Sequence, residues 1–421
     1  MPAFSFVHAA DLHLDTPFSA VRRNNEELGS ALRRAAFDAF EGLIRLCLEK
    51  TVDFLLVAGD VFDGGERSIQ AQVRFRAGLE RLSEAGIRTL VVHGNHDPLS
   101  SWSSSLQWPP GVHVFGERLE TVPVEREGRL LARVQGISHP KRDERRNLAR
   151  LFRREDAAFH IGLLHANVGS DTGHEPYAPC SLGDLREAGM DYWALGHVHS
   201  RRILSPDSPA VVYPGTIQGR NIREAGEKGC YLVRVSESRE IDLEFHPTDM
   251  IRWILREIRI NGLETEQDLL ETLERTCEEI SLDGAGRPAI ARIRLTGSGP
   301  LHRRLMRPEW VDELLEVLRE AWMARDPFLW VERLERDTSP PADLETLARG
   351  EDFLGELLRY SRALRREPDF EERIRRELAP LFETPWSRNF LDPPDPGKLK
   401  ELLRAAEGIC FEELSGGEEI D

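Results

Sequence analysis

Five short clusters in the sequence carry groups able to do chemistry: Asp11 and His13 in DLH, Asp60 and Asp63 in GDVFD, Asn95, His96 and Asp97 in GNHD, His165 in LLHAN, and His197 and His199 in GHVH. Carboxylate, imidazole and amide oxygen without sulfur suit a pair of manganese, iron or zinc ions better than a structural zinc. Two such ions can activate a water on one side of a phosphorus and stabilise the leaving oxygen on the other, which is the logic of metal-assisted phosphoester hydrolysis. Any one of these motifs alone is a weak signal, because DxH or GHxH occurs in ordinary solvated turns. Five in order, each after a strand-like run, form one consistent pattern.

The elements that must position them are short. Apolar runs rich in β-branched and aromatic residues at 4–8, 54–58, 89–93, 159–164 and 192–195 read as strands, each ending in a cluster. Between them, 33–48 and 68–85 repeat apolar residues at helical spacing. The pattern is α/β, in which ligands gather beyond the carboxyl ends of the strands. Gly59, Gly94 and Gly196 precede three of the clusters and let the chain turn there. From 210 onward the strands are closely spaced (210–213, 229–235, 241–246), which predicts antiparallel pairing that completes a first domain, residues 1–250. Strands at 251–260, 289–295 and 328–334, with helices at 264–280 and 308–321, predict a small α+β capping domain, 251–338. Residues 339–421 read as a helical C-terminal region broken at Pro368, Pro380 and LDPPDPGK, with an acidic tail.

Composition bounds the reading. With 40% hydrophobic and 31% charged residues over 421, the collagen-like, disordered and helical membrane-spanning classes are excluded. The opening MPAFSFVHAADLHLD has neither a basic n-region nor a long apolar h-region, so the expectation is a cytoplasmic protein with no membrane partner. Five cysteines without a CxxC pair predict buried, reduced thiols. The net charge of −17 opposes a large nonspecific polyanion-binding surface, and residues 251–421 hold most of it, with 26 basic and 38 acidic side chains. Eleven of the thirteen histidines lie between His8 and His199, which confines the chemistry to the first half.

Other residues have blander readings. His8 and His93 fall on predicted strands and read as core histidines, whereas His139 and His174 fall in loops that could face a substrate. Residues 141–154 carry seven basic and two acidic side chains; a helix aligning Arg142, Arg146, Arg150 and Arg153 could track phosphates but is better read as a solvated, partly self-paired amphipathic helix with Leu148, Leu151 and Phe152 inward. Trp102 and Trp108 could stack on bases but are better read as cover for the sheet edge. Leu344, Leu347, Leu354, Leu357 and Leu358 form an apolar stripe of the kind that packs a core.

Taken in order over residues 4–246, DLH, GDVFD, GNHD, the lone histidine and GHVH resemble the calcineurin-like metallophosphoesterase superfamily. HAADLHLD, HANVGSDTGHEPYAPCSL and YPGTIQGR are similar to the SbcD-like nucleases, most of all the YhaO type. The resemblance implies a four-layer α/β/β/α sandwich followed by the α+β cap and the helical region. It further implies one ion held by Asp11, His13, Asp60 and His199 and a second by Asp60, Asn95, His165 and His197, with Asp60 bridging. Manganese is the expected ion, with iron, zinc or magnesium as alternatives. His96 would sit beside the scissile phosphate, Asp97 would orient its ring and Asp63 would support the ligands. No motif ligand is missing. The implied activity is DNA phosphodiester hydrolysis, exonucleolytic and endonucleolytic, by a hydroxide activated at the dinuclear centre, in DNA repair. The implied partners are DNA, an SbcC- or YhaN-like ATPase docked on the C-terminal helices, and a second copy of the chain. The alternatives are a phosphomonoesterase or cyclic-nucleotide phosphodiesterase for small molecules, and a scaffold for the ATPase with residual activity.

Overall fold

The structure, a computed structural model, describes residues 1–18, 25–64, 68–101, 107–169, 175–341, 348–367, 369–382, 398–399, 402–403, 406–407 and 410. Trp102, His174, Leu344, Leu347 and Pro368 lie outside the described residues. Strands β1 (Phe4–Ala9), β2 (Phe54–Ala58), β3 (Arg88–Val92) and β4 (Val112–Val114) run parallel in one sheet. Strands β5 (Glu120–Arg126), β6 (Arg129–Ile137), β7 (His160–His165), β8 (Tyr192–Gly196), β9 (Arg202–Ser205) and β10 (Ala210–Tyr213) form a second, in the order β5-β6-β7-β8-β10-β9. Strands β11 (Gly229–Val235) and β12 (Ile241–Pro247) return to the first sheet and complete the order β12-β11-β1-β2-β3-β4. Both sheets are mixed, with antiparallel pairs only toward their edges.

Strand periodicity decides what faces what. Phe54, Leu56 and Ala58 of β2 meet Ile161 and Leu163 of β7 and Tyr192 and Ala194 of β8 in the core between the sheets. Their neighbours Leu55 and Val57 point the other way, onto helices α1 (Glu26–Glu49) and α2 (Ile69–Glu84). Phe6 stacks on Phe54 with centroids 4.8 Å apart and takes the edge of Tyr192 at 5.2 Å. Asn25 caps α1 by accepting from Leu28 N, and Ser68 caps α2 by accepting from Ala71 N. Beyond the second sheet, Trp193 and Leu195 pack under a 3₁₀ turn (Leu148–Leu151) and a short helix, α3 (Leu182–Glu187). The four layers are those the resemblance implies, with the fourth reduced to a 3₁₀ turn and the short helix α3.

The structure departs from the sequence reading in four places. Residues 141–154 form no α-helix: Glu144 accepts from the backbone N–H of Arg146 at 2.8 Å and also binds its guanidinium, and Arg150 pairs with Asp184 at 2.8 Å. These local bonds compete with helix hydrogen bonding, and Leu151 is left exposed. Strand β10 does not pair with β11 but lies parallel to β8, in the other sheet. Strands β4, β5, β6 and β9 were not anticipated: β4 and β9 are only three and four residues long, and β5 carries Pro123, which reads against a strand. Pro380 lies inside a helix rather than ending it. Trp108, by contrast, meets the edge of Phe75 at 5.9 Å in the helix-side core, as a covering residue does. Four cysteines are buried, and none of the five forms a disulfide.

The chain divides into two units: Met1–Leu255 with Ile280–Ala291 and Ala324–Trp330, and Arg256–Glu279 with Arg292–Met323 and Val331–Asp421. A third sheet has the order β13 (Arg252–Arg259), β14 (Ala289–Ser298), β15 (Leu329–Ser339). Helices α4 (Glu266–Asp283), α5 (His302–Leu305) and α6 (Pro308–Met323) alternate with these strands, and α7 (Phe353–Leu364) and α8 (Phe370–Phe382) follow. In the second unit Arg292 bridges Glu332 at 2.8 Å and Glu335 at 3.0 Å. No described helix is long and apolar enough to cross a membrane.

Two glycines on the first helical layer test its packing. A Cβ on Gly42 of α1 would meet nothing within 4 Å, whereas one on Gly78 of α2 would lie 2.6 Å from the Phe40 ring. Gly42→Ala is expected to stabilise the protein by about 0.5–1 kcal/mol, and Gly78→Ala to destabilise it by about 1–3 kcal/mol, both read as shifts in urea midpoint.

Candidate metal centre

All five clusters lie at the carboxyl ends of parallel strands: two on the loops after β1 and β2, one after β3, and two at β7 and β8. The first two loops are zipped together. Asp11 N donates to Gly59 O at 3.0 Å, His13 N to Asp60 O at 3.1 Å and Leu14 N to Val61 O at 3.0 Å. Asp11, His13, Asp60 and His197 hold positive φ values of 51°, 44°, 50° and 99°. A non-glycine residue in the left-handed region costs on the order of 1–3 kcal/mol, and such residues persist where surrounding contacts over-determine them.

Those contacts are specific. The two oxygens of the Asp11 carboxylate each accept from His197 N at 3.1 Å, and Asp60 Oδ1 accepts from His96 N at 2.9 Å. Asp60 Oδ2 is buried without a hydrogen-bond partner and faces Nε2 of His165 at 3.4 Å and of His13 at 3.9 Å. Asn95 Oδ1 lies 3.0 Å from His165 Nε2 and 3.1 Å from His197 Nδ1. His13 Nε2 and His199 Nε2 are 3.4 Å apart, and donor atoms of Asp11, His13, Asp60 and His199 all lie within 4.8 Å of one another. Two nitrogens about 2.1 Å from a common ion sit at about the first of these separations.

Each of the four imidazoles has an oxygen beside its other nitrogen. His165 Nδ1 donates to Ala58 O at 2.9 Å and His197 Nε2 to Glu175 O at 2.9 Å, while His13 Nδ1 stands 3.1 Å from Asp63 and His199 Nδ1 2.9 Å from Glu224. An acceptor on one nitrogen fixes the proton there and turns the bare nitrogen of the other side inward, as metal-ligating histidines require. The orphaned Asp60 oxygen, the inward nitrogens and the Asn95 amide oxygen are a donor set that fits a dinuclear metal centre.

The electrostatics agree. Burial pushes the Asp11 carboxyl up to about 6. Burial also acts to raise Asp60, but His165 and His13 outweigh it and hold Asp60 well below the usual carboxylate range. For His165, burial disfavours the imidazolium, yet the Asp60 and Asp11 carboxylates hold it up at about 9. Positive charge is thus favoured beside Asp60, whereas burial and then the Arg220 guanidinium push the His13 imidazole down to about 4.

The remaining residues separate by role. His96 is the partly open group, with 28% of its side chain exposed, and its Nδ1 stands 3.2 Å from Asp63. Asp97 is not the partner of that ring: its two oxygens accept from Gly94 N at 2.8 Å and Val61 N at 2.9 Å and so brace the loop. Two adjacent side chains leave a tight turn in opposite directions, which explains why neighbours in sequence do not meet. His8 is buried against the Tyr192 hydroxyl at 3.0 Å, His93 is buried beside Asp97, and His139 bonds His165 O at 2.7 Å. His139 therefore supports a ligand loop and does not face a substrate. Sequence reasoning missed Glu224 and Arg220. The motif YPGTIQGR contains the arginine, and Glu224 follows one helical turn later, but nothing in their spacing announces His199, more than 20 residues away.

Residues 4–201 match the calcineurin-like phosphoesterase model and 253–339 the middle domain of metallophosphoesterase YhaO. The chain is 35% identical to the uncharacterized metallophosphoesterase YhaO of Bacillus subtilis, over 97% of this chain and 98% of that protein. It is 27% identical to the DNA double-strand break repair protein Mre11 of Aeropyrum pernix, over 54% of this chain and 56% of that one. To the SbcD component of the nuclease SbcCD from Bacillus subtilis it is 25% identical, over 52% of this chain and 63% of that one. With a donor set that fits two ions and similarity along nearly its whole length, the chain belongs to the calcineurin-like metallophosphoesterases of the YhaO type, distantly related to Mre11 and SbcD.

Proposed function

We propose that this chain is a metal-dependent DNA phosphodiesterase, an SbcD-like exonuclease and endonuclease acting in DNA repair. The observation that carries the hydrolytic part is the set of four imidazoles, three buried and His199 nearly so, each with an oxygen beside one nitrogen and the other nitrogen turned toward the Asp11, Asp60 and Asn95 oxygens. DNA as substrate is supported by the names of the Mre11 and SbcCD relatives. In this reading Asp11, His13, Asp60 and His199 hold one ion and Asp60, Asn95, His165 and His197 the other. Two divalent ions, manganese by preference, supply Lewis-acid charge to a phosphodiester when bound.

The chain's own side chains do the rest. Asp60 is shared by both positions, and its Oδ1 is kept in place by His96 N. His96, half open beside the buried ligands, hydrogen-bonds the phosphate or gives its proton to the leaving oxygen, and Asp63 sets its ring. Asp97 keeps the loop carrying Asn95 and His96 in register. Residues 1–250 then form the nuclease domain, 251–338 the cap, and 339–421 the docking region for an SbcC- or YhaN-like ATPase. The name of the SbcCD relative marks it as one part of a larger nuclease, and helix α7 exposes Phe353 and Tyr360.

Asp60→Ala is expected to lose both manganese binding, read by calorimetry, and cleavage of end-labelled linear duplex DNA. His96→Ala is expected to keep manganese and lose about 10²–10⁴-fold in turnover; turnover equal to wild type would remove His96 from the mechanism. Hydrolysis of a nitrophenyl diester by a wild type that leaves DNA intact would turn the reading toward small-molecule substrates. Manganese at a hundredfold excess over its dissociation constant is expected to stabilise the wild type by about 2.7 kcal/mol. The gain should vanish with chelator and in Asp60→Ala, as followed by thermal unfolding.

A further inference from the structure

The two ion positions are supported by different chemistry. His165 and His197 are held by backbone carbonyls, those of Ala58 and Glu175. His13 and His199 are held by carboxylates, those of Asp63 and Glu224. A single guanidinium joins these two carboxylates: Arg220 meets Glu224 at 2.7 Å and Asp63 at 3.3 Å, with both Arg220 and Glu224 largely buried. Glu224 is placed by a local turn, the 3₁₀ segment Ile222–Glu224 capped by Asn221, and it also accepts from Arg220 N at 2.8 Å. None of Asp63, Arg220 and Glu224 lies on a strand.

Both Glu224 Oε1 and Arg220 stand 2.9 Å from His199 Nδ1, and they demand opposite tautomers. A guanidinium can only donate, so a bond from it would require a bare Nδ1 and a proton on Nε2. The carboxylate accepts an Nδ1 proton and leaves the Nε2 lone pair toward His13 and Asp60. Arg220 already donates to Glu224 through Nε and Nη2, so a Glu224 carboxylate that takes the Nδ1 proton leaves the guanidinium bonded as well.

We propose that Glu224 and Arg220 are positioning residues of the metal centre, holding His199, and through Asp63 also His13, in the tautomer and orientation that bind one of the two ions. The other position, whose imidazoles rest on backbone carbonyls, does not depend on them. This rests on the dinuclear reading given above. It assigns a function to the segment 220–224 that lies outside the histidine and aspartate motifs.

The test is manganese titration of the full chain by calorimetry, with low-temperature electron paramagnetic resonance at two equivalents of metal. Glu224→Gln keeps the size of the side chain and removes its charge. It should weaken one of two binding steps about tenfold or more, leave the other unchanged, and replace the exchange-coupled signal of the wild type by a mononuclear one. Arg220→Lys keeps the charge but cannot span both carboxylates, and should weaken the same step; it carries the test if Glu224→Gln fails to show a native circular dichroism spectrum. Glu120→Gln removes a similar imidazole–carboxylate contact, to His113 of the edge strand β4 at 3.1 Å, and should leave both steps as in wild type. Two wild-type steps unaltered in a folded Glu224→Gln or Arg220→Lys would overturn the proposal and leave the dinuclear reading standing. Equal weakening of both steps, or of either step in Glu120→Gln, would overturn the restriction to one position. A wild type that takes up no manganese would overturn the dinuclear reading itself.

Discussion

The burial of two carboxylates, Asp11 and Asp60, side by side at the meeting of two sheets is the constraint from which the rest of the structure follows. Neither is exposed to solvent, and an uncompensated buried charge costs several kcal/mol. Compensation comes from imidazoles that arrive from strands far apart in sequence, so the strands must end at one edge and the two sheets must pack with those edges aligned. The aromatic layer between the sheets, with Phe6, Phe54 and Tyr192 at its centre, fixes that alignment.

Close approach is the second requirement. A Cβ on Gly94 would lie 2.2 Å from Asp60 Oδ1, and one on Gly196 would lie 1.8 Å from Ala58 O. These residues are glycine because the ligand loops touch backbone to backbone and backbone to ligand, with no room for a methyl group. The left-handed conformations of Asp11, His13 and Asp60 belong to the same geometry, since the loops must turn sharply while their N–H groups remain bonded across to one another. Strain is tolerated here because the sheets beneath are rigid and fully packed.

Around this centre charge is organised in pairs. Arg146 closes on Glu144, Arg150 on Asp184, and Arg154 on Asp191 at 2.5 Å, so the basic run at 141–154 braces loops against the second sheet rather than presenting a charged helix. Mostly exposed pairs of this kind add little stability each. Their effect is to hold the chain between β6 and β7, and with it His139, whose ring supports the backbone of His165.

Strand-ending motifs were legible in the sequence because they are local. An apolar run, a glycine and a polar ligand fall within a few residues, and the structure brings every residue so identified, from Asp11 to His199, to one edge of the sandwich. The strands of the parallel cores and the major helices were legible for the same reason, since burial imprints its period on a short window. What the sequence did not disclose is pairing at long range: that β10 joins the second sheet, that Asp63 and not Asp97 meets His96, and that Arg220, 157 positions from Asp63, ties it to Glu224. Hydrophobic period records how strongly a residue is buried, not which residue it is buried against. The sequence by itself thus determined which groups are available and at which strand ends. The tertiary structure alone decided which nitrogen of each histidine points inward, because that depends on an acceptor supplied by a distant loop.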